Sequence, residues 1–424
     1  MSRVNVTLPF TDTASLSFAL DERNLGEVVR PAPVAAVPDE AAAIATALDS
    51  PLGTPPLEEM VRPGQRVLIL SDDNTRPTPV HKILPPVLER LGRGGVAEAN
   101  IAILMALGTH RPMTETELRA KLGDEVVRRF PVANHRYDDP MALYDAGTTP
   151  EGIRVCLSRA VVEADFVLGI GNIVPHPHPG YAGGAKILYP GVASQETVAG
   201  FHLVGLRDST NYLGQEDAPA RRAIEALADT VGLSMVVDTV LTPDHGIYQV
   251  FCGQHRQVQA AGQRAAKTVY GVPVQRRYDI VIANSYPAFL EFWQGSKGLL
   301  AADLIVKPGG MIILATPCPE GVAITHRGLI EYLRTEPAEL LHRIEAGGVK
   351  DPIAASVCLK LSRVKERVQV AVVSPGLTET EVRDMGYEYY ASVEEAVDAK
   401  LAEYGRGTQV AVITHGGETA PYLA

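Results

Sequence analysis

Cysteine is scarce and scattered. The four residues Cys156, Cys252, Cys318 and Cys358 form no CxxC pair. That spacing excludes a zinc ribbon or a close-knit disulfide framework and predicts ordinary thiols in a reducing compartment, the cytoplasm. Long hydrophobic runs are missing too. No stretch of about 18 apolar residues predicts a membrane span, and the start Met1–Phe10 has no apolar core of the kind a signal peptide carries. Positive charge is in deficit, with 39 basic against 50 acidic residues and a net charge of −11. A broad nucleic-acid or anionic-membrane surface is therefore excluded, and an anionic substrate must be held by a few local cations. No GxSxG element is present, so a serine hydrolase has no support. Tryptophan occurs once, at Trp293.

What is present is an α/β chain of 424 residues, 46% hydrophobic and 21% charged, long enough for two domains. Strand-like runs at 66–71, 100–106, 166–170 and 235–241 alternate with helix-like stretches such as 80–91, and a second set follows at 279–284, 311–315, 368–373 and 409–414. This alternation predicts mainly parallel sheets. Thr114 and Glu117 fit a capping box that starts a helix. Gly271 and Pro273 end a polar helix over 254–270 and separate the two sets of strands. The expected organisation is an N-terminal cofactor-binding α/β domain over 1–270 and a C-terminal α/β domain over 271–424. The active site is expected in the cleft between them, and the last residues are able to pack back on the first domain.

Polar chemistry clusters where strands end, the usual place for ligands in open α/β sheets. After the strand at 66–71 come Asp73 and Arg76, in a turn held by Pro77 and Pro79; arginine offers a planar fork for a carboxylate. After the next strand comes Leu107-Gly-Thr-His110, whose histidine suits a general base or a metal ligand. Taken singly, these two read equally well as a solvated turn and a structural loop histidine. The segment 169–191 is richest. Pro175, Pro177 and Pro179 forbid a helix around His176 and His178, and Gly183 and Gly184 permit positive φ beside Lys186. It resembles a P-loop without the last glycine or the Mg-binding hydroxyl, because Ala185 and Ile187 stand there. It resembles a dinucleotide loop without the third glycine, because Val174 stands there. Further on, Trp293, Gln294 and Lys297 offer an apolar wall, a neutral hydrogen-bonding group and a cation.

Together these residues resemble the lactate racemase family that carries a nickel-pincer nucleotide. The resemblance rests on Asp73-Asn-Thr-Arg76, Leu107-Gly-Thr-His110, His176 with Lys186 and His202 at set spacings, and Gln294-x-x-Lys297, spread over about 230 residues. It implies a racemase or epimerase of a short 2-hydroxy carboxylate. The implied cofactor is the nickel(II) pyridinium-3-thioamide-5-thiocarboxylic acid mononucleotide, covalently bound at Lys186 beside Gly183 and Gly184, with His202 as the protein ligand to nickel. His110 and His176 become the acid/base pair on opposite faces of the substrate. Arg76 and Lys297 bind its carboxylate and hydroxyl region, Gln294 positions it, and Asp73 orients its neighbours. In that family's mechanism the α-hydrogen leaves as hydride while a histidine takes the hydroxyl proton, and both return on the other face. The implied partners are a small 2-hydroxy acid and the proteins that make the cofactor. Lactate-type members place a tryptophan of the C-terminal domain near the substrate. Here Trp293 precedes Gln294 and the later segment reads Met385-Gly-Tyr-Glu-Tyr-Tyr390, which implies a different pocket wall and ranks a larger hydroxy acid, aliphatic or dicarboxylic, beside lactate.

Two other readings use the same residues. One is a zinc-dependent hydrolase built on His176, His178 and His202. The other is a non-catalytic nucleotide- or carboxylate-binding protein, which needs the glycine loop and the cations but not both His110 and His176.

Overall fold

Two six-stranded sheets organise the chain in the computed structural model, which describes residues 2–149, 152–206, 208, 210–405 and 407–424. The first sheet runs, in spatial order, Ile247–Gly253, Met235–Leu241, Phe166–Asn172, Val67–Ser71, Ile101–Met105 and Val132–Asn134. Its strands are parallel except for Ile247–Gly253, which turns back beside Met235–Leu241. Val67–Ser71 is buried along its whole length, as a central parallel strand covered on both faces must be. Helix Val80–Arg93 covers one face through Val80, Ile83, Leu84, Val87 and Leu91, a stripe at helical spacing. The capping box of Thr114 and Glu117 starts helix Glu115–Leu122.

The second sheet is wholly parallel, in the order Glu388–Tyr389, Gln369–Val373, Val306–Ala315, Tyr278–Asn284, Val410–Ile413 and Leu25–Val29. The architecture is thus α/β with mainly parallel sheets in two units and no closed barrel. All eight strands expected from the sequence are present, with ends shifted by a few residues. One feature departs from a chain division at residue 271. Leu25–Val29, near the chain's start, is an edge strand of the second sheet. The antiparallel hairpin of Arg3–Pro9 and Ser15–Asp21 goes with it and packs Val6, Leu8, Phe18 and Leu20 against Ile280, Ile282, Met311 and Ile313. The physical reason is that central strand Tyr278–Asn284 and its neighbour Val410–Ile413 carry apolar side chains on both faces and need cover that the chain after residue 271 does not supply alone. At the far end, Ala420–Leu423 pairs in parallel with Gly271–Val274.

Among the described residues no helix is long and apolar enough to cross a membrane.

The N-terminal hairpin is therefore a structural part of the second unit. Phe18 is 1% exposed, and Phe18→Ala is expected to cost about 3–5 kcal/mol, read as a lowered midpoint in denaturant unfolding. A cost below about 1 kcal/mol would show that the hairpin is not part of that core.

Candidate active site between the two sheets

A cavity of about 170 Å³ lies where the strand ends of the two sheets meet. The first unit brings Asp73, Arg76, His110, His176, Gly183, Lys186 and His202 to it, and the second brings Gln294 and Lys297. Gly184 stands just behind that wall. Every candidate site residue with a side chain thus lines a single cavity.

Asp73 follows strand Val67–Ser71 and is buried. Its Oδ1 accepts from the Thr75 backbone N–H at 3.0 Å and from the Thr75 hydroxyl at 2.5 Å, and its Oδ2 lies 2.6 Å from His110 Nδ1. Burial works to raise its pKa, but His110 and Arg76, with the hydrogen bonds, outweigh it and hold the carboxyl well below the usual range. His110 Nε2 lies 3.0 Å from Gln294 Nε2, and Lys297 Nζ donates to Gln294 Oε1 at 2.7 Å. The donors fix the protons along this line. Lysine can only donate, so the Gln294 carbonyl faces it and the amide N–H faces His110. His110 Nε2 therefore accepts, and Nδ1–H donates to Asp73. Nε2 thus faces the Gln294 amide, which itself lines the cavity.

His176 differs. Its Nδ1 accepts from the His178 backbone N–H at 3.2 Å, which puts the proton of the neutral ring on Nε2. Burial first, then Lys186, Lys297 and Arg76, drives its pKa well below the ordinary value. The alternate prolines do forbid a helix: Pro175–His176 pairs with Gly180–Tyr181 as a two-residue hairpin. His202 lies in the last turn of helix Gln195–Leu203, and its ring stacks on that of His178 at 5.3 Å. Burial and nearby Lys360 and Lys186 keep His202 neutral, the state a metal ligand requires. His178 has both nitrogens engaged, Nε2 with the Phe201 carbonyl at 2.8 Å and Nδ1 with Lys360 Nζ at 2.8 Å. It has no lone pair left for a metal. Among the described residues no group of three His, Cys, Asp or Glu side chains is placed to hold a metal ion, so the zinc reading built on three histidines loses its geometry.

Lys186 sits in the short turn Gly184–Ile187. Gly183 and Gly184 have φ of +80° and +59°, the left-handed region glycine enters freely. A Cβ at Gly183 would meet Ile173 at 2.4 Å, and one at Gly184 would meet the Gln259 side chain at 2.5 Å. The backbone packs that tightly, and the Gly184 N–H donates to Asp238 at 2.7 Å. Burial, with Arg76 and Arg221 nearby, lowers the Lys186 amine to about 7. Asp238 is pushed up to about 7 by burial, and Asn172 Oδ1 is buried without a protein partner. Both of these residues line the same cavity.

Three consecutive residues of the His110 loop join the two units. Thr109 Oγ1 lies 3.2 Å from His326 Nε2, His110 meets Gln294, and Arg111 bonds both Glu117 and Glu320 at 2.7 Å. His326 Nδ1 lies 2.8 Å from Asp351, and its ring stacks 4.1 Å from Trp293, the apolar wall expected from the sequence. The segment Met385–Tyr390 does not line the cavity; Tyr387 packs inside the core against Phe292. Helix Pro352–Lys365 supplies that wall instead, through Ser356, Val357 and Lys360. Sequence reasoning missed this helix, since one lysine in an amphipathic helix reads as surface. The pairing of Ser356 with Lys360 at i, i+4 was the available signal.

An amine near 7 has a neutral fraction at pH 7 roughly a thousandfold larger than that of an ordinary lysine near 10.4. A limiting amount of a small acylating reagent at pH 7 is therefore expected to label Lys186 ahead of the surface lysines, as read by peptide mass mapping. Labelling of Lys186 no faster than the others would show that its amine remains charged.

Comparison with known proteins bears on this site. The model described as the lactate racemase N-terminal domain matches residues 11–214, and that of the lactate racemase C-terminal domain matches residues 274–418. The lactate racemase of Lactiplantibacillus plantarum is 28% identical over 429 residues, covering 97% of this chain and 98% of that protein. The lactate racemase of Thermoanaerobacterium thermosaccharolyticum is 27% identical over 384 residues, covering 87% and 88%. The structure of the lactate racemase apoprotein from the latter organism superposes with a TM-score of 0.87 at 26% identity, over 99% of this chain and 100% of that one. A protein from Thermotoga maritima shares the fold, with a TM-score of 0.70 at 20% identity. With matching models over both sheets and relatives spanning nearly its full length, the chain belongs to the lactate racemase family of isomerases.

Proposed function

We propose that the protein racemises or epimerises a short-chain 2-hydroxy carboxylate with a nickel-pincer nucleotide attached at Lys186. The observation that carries this reading is the pair of histidines, His110 bonded to Asp73 and His176 to the His178 amide, around a cavity that also holds Arg76 and Lys297. A non-catalytic carboxylate-binding protein needs the cations but has no use for that pair. The residues present fit the cofactor. A buried amine near 7 suits covalent attachment. A neutral buried imidazole at His202 suits a metal whose other donors come from the nucleotide. The unpartnered Asn172 Oδ1 and the Asp238 carboxyl are hydrogen-bonding groups that suit sugar hydroxyls. When bound, the cofactor supplies reversible hydride chemistry at the α-carbon, with no net redox change.

The chain's own residues bind, orient and move protons. Arg76 works against the charge of Lys186, and both work against that of Lys297; a substrate carboxylate relieves that repulsion. Lys297 and Gln294 exchange their mutual hydrogen bond for bonds to the substrate. His110 takes the hydroxyl proton at Nε2, and the Asp73 carboxylate stabilises the imidazolium that forms. His176 serves the opposite face: protonated at Nδ1 from solvent once that nitrogen releases the 3.2 Å bond from the His178 amide, it donates its Nε2 proton to the substrate oxygen and is left neutral. The proteins that make the cofactor are implied as partners, and four free cysteines suit a cytoplasmic location.

Asp73→Asn removes the charge behind His110. It is expected to lower kcat about 100-fold or more with a smaller change in KM; a loss below about threefold would remove Asp73 from this role. The whole reading is tested with enzyme co-expressed with cofactor-synthesis proteins and given a panel of single-enantiomer 2-hydroxy acids in deuterated water. Inversion with the α-protium retained is expected, together with an adduct mass on Lys186 that Lys186→Ala loses. Inversion with full deuterium incorporation at the α-carbon would reject internal hydride return, and no turnover of any acid by loaded enzyme would reject the substrate class.

A further inference from the structure

We propose that Lys360 forms a second anion-binding subsite and that the substrate is a 2-hydroxy dicarboxylate, held at one carboxylate by Arg76 and Lys297 and at the other by Lys360. The proposal rests on the racemase reading above and narrows its substrate.

Lys360 belongs to helix Pro352–Lys365 of the second unit and lines the cavity one turn beyond Ser356 and Val357. Its Nζ is bonded to His178 Nδ1 at 2.8 Å. His178 Nε2 faces the Phe201 carbonyl at 2.8 Å, so Nε2 carries the proton and Nδ1 is the acceptor. His178 therefore orients the ammonium without neutralising it. Among the described residues Lys360 makes no ion pair. The opposing charge that acts on it is Asp208, whose carboxylate already accepts from the hydroxyls of Thr210 and Tyr212. A lysine has three donors, and the histidine uses one. Burial lowers the amine only to about 8, which leaves it mainly charged near neutrality. A largely enclosed cation without a direct ion pair is costly, and an anionic ligand lowers that cost.

The cavity has two separate cationic poles. Lys297 is hydrogen-bonded to Gln294 and feels the charges of Arg76 and Lys186, whereas Lys360 comes from another helix and is hydrogen-bonded to His178. With the Lys186 amine committed to the cofactor, the first pole keeps two cations, enough for one carboxylate. A monocarboxylate leaves the second pole unpaired, and an aliphatic tail would bury methyl groups against an ammonium. Ser356 and Val357, small residues beside Lys360, leave room for a short chain between the poles. The other possible source of a second anion is the cofactor's phosphate, and the test separates the two.

Loaded enzyme is assayed with malate and with malate 4-amide, which keeps the shape and removes the second charge. The wild type is expected to favour the diacid at least tenfold in kcat/KM. Lys360→Met should cut that preference at least tenfold, mainly through KM, and Lys360→Arg should retain part of it. An equal preference in wild type and Lys360→Met, or none in the wild type, overturns the proposal. Loss of the nucleotide from Lys360→Met in the intact mass spectrum assigns Lys360 to the phosphate and overturns it as well. If no 2-hydroxy acid is turned over, the racemase reading fails, and calorimetric titration with the same two compounds still decides the subsite. A tenfold tighter diacid, with the difference lost in Lys360→Met, supports it; equal affinities reject it.

Discussion

The line of hydrogen bonds from Asp73 through His110 and Gln294 to Lys297 is the constraint on which the rest of the site depends. It begins in the first sheet and ends in the second unit, so its geometry exists only when the two are together. Each member sets the next. The carboxylate orients the imidazole, the lysine orients the amide, and between them His110 Nε2 is left facing Gln294 at the cavity wall. The flanking bonds of Thr109 to His326 and of Arg111 to Glu320 hold the same loop on either side.

Desolvation explains most of what is unusual in the cavity's titration. Burial is the largest cause of the shifts at His176, Lys186, His202, Lys297 and Asp238 alike. Asp73 escapes because the His110 ring, a hydroxyl and a backbone amide gather on its two oxygens, with Arg76 nearby. A site arranged in this way holds neutral imidazoles and reluctant amines until an anion enters.

Much of this was legible in the sequence because it lies in continuous segments at strand ends. Asp73 and Arg76, His110, and the stretch from His176 to Lys186 each follow an apolar strand, and a sheet brings neighbouring strand ends together. The residues that were not legible depend on helix orientation or on contacts across the cleft. Lys360 projects from a helix whose pattern does not say which partner it will meet. His326 and Asp351 reach Trp293 and Thr109 only after the units close. The strand Leu25–Val29 is short and half-exposed, so its pattern carries little signal, and only the empty edge beside Val410–Ile413 explains its place.

That edge strand has a consequence for how the protein is made. Asn24 donates to the Thr408 carbonyl across 384 residues of chain. A ribosome working at about 5–20 residues per second takes roughly 20–80 s to cover that span. Throughout that time the hairpin with Val6, Leu8, Phe18 and Leu20 has emerged, while the sheet it completes has not. The first unit, threaded between the two halves of the second, can fold early; the second must wait for the end of translation. The nascent chain therefore carries an exposed apolar hairpin for most of its synthesis.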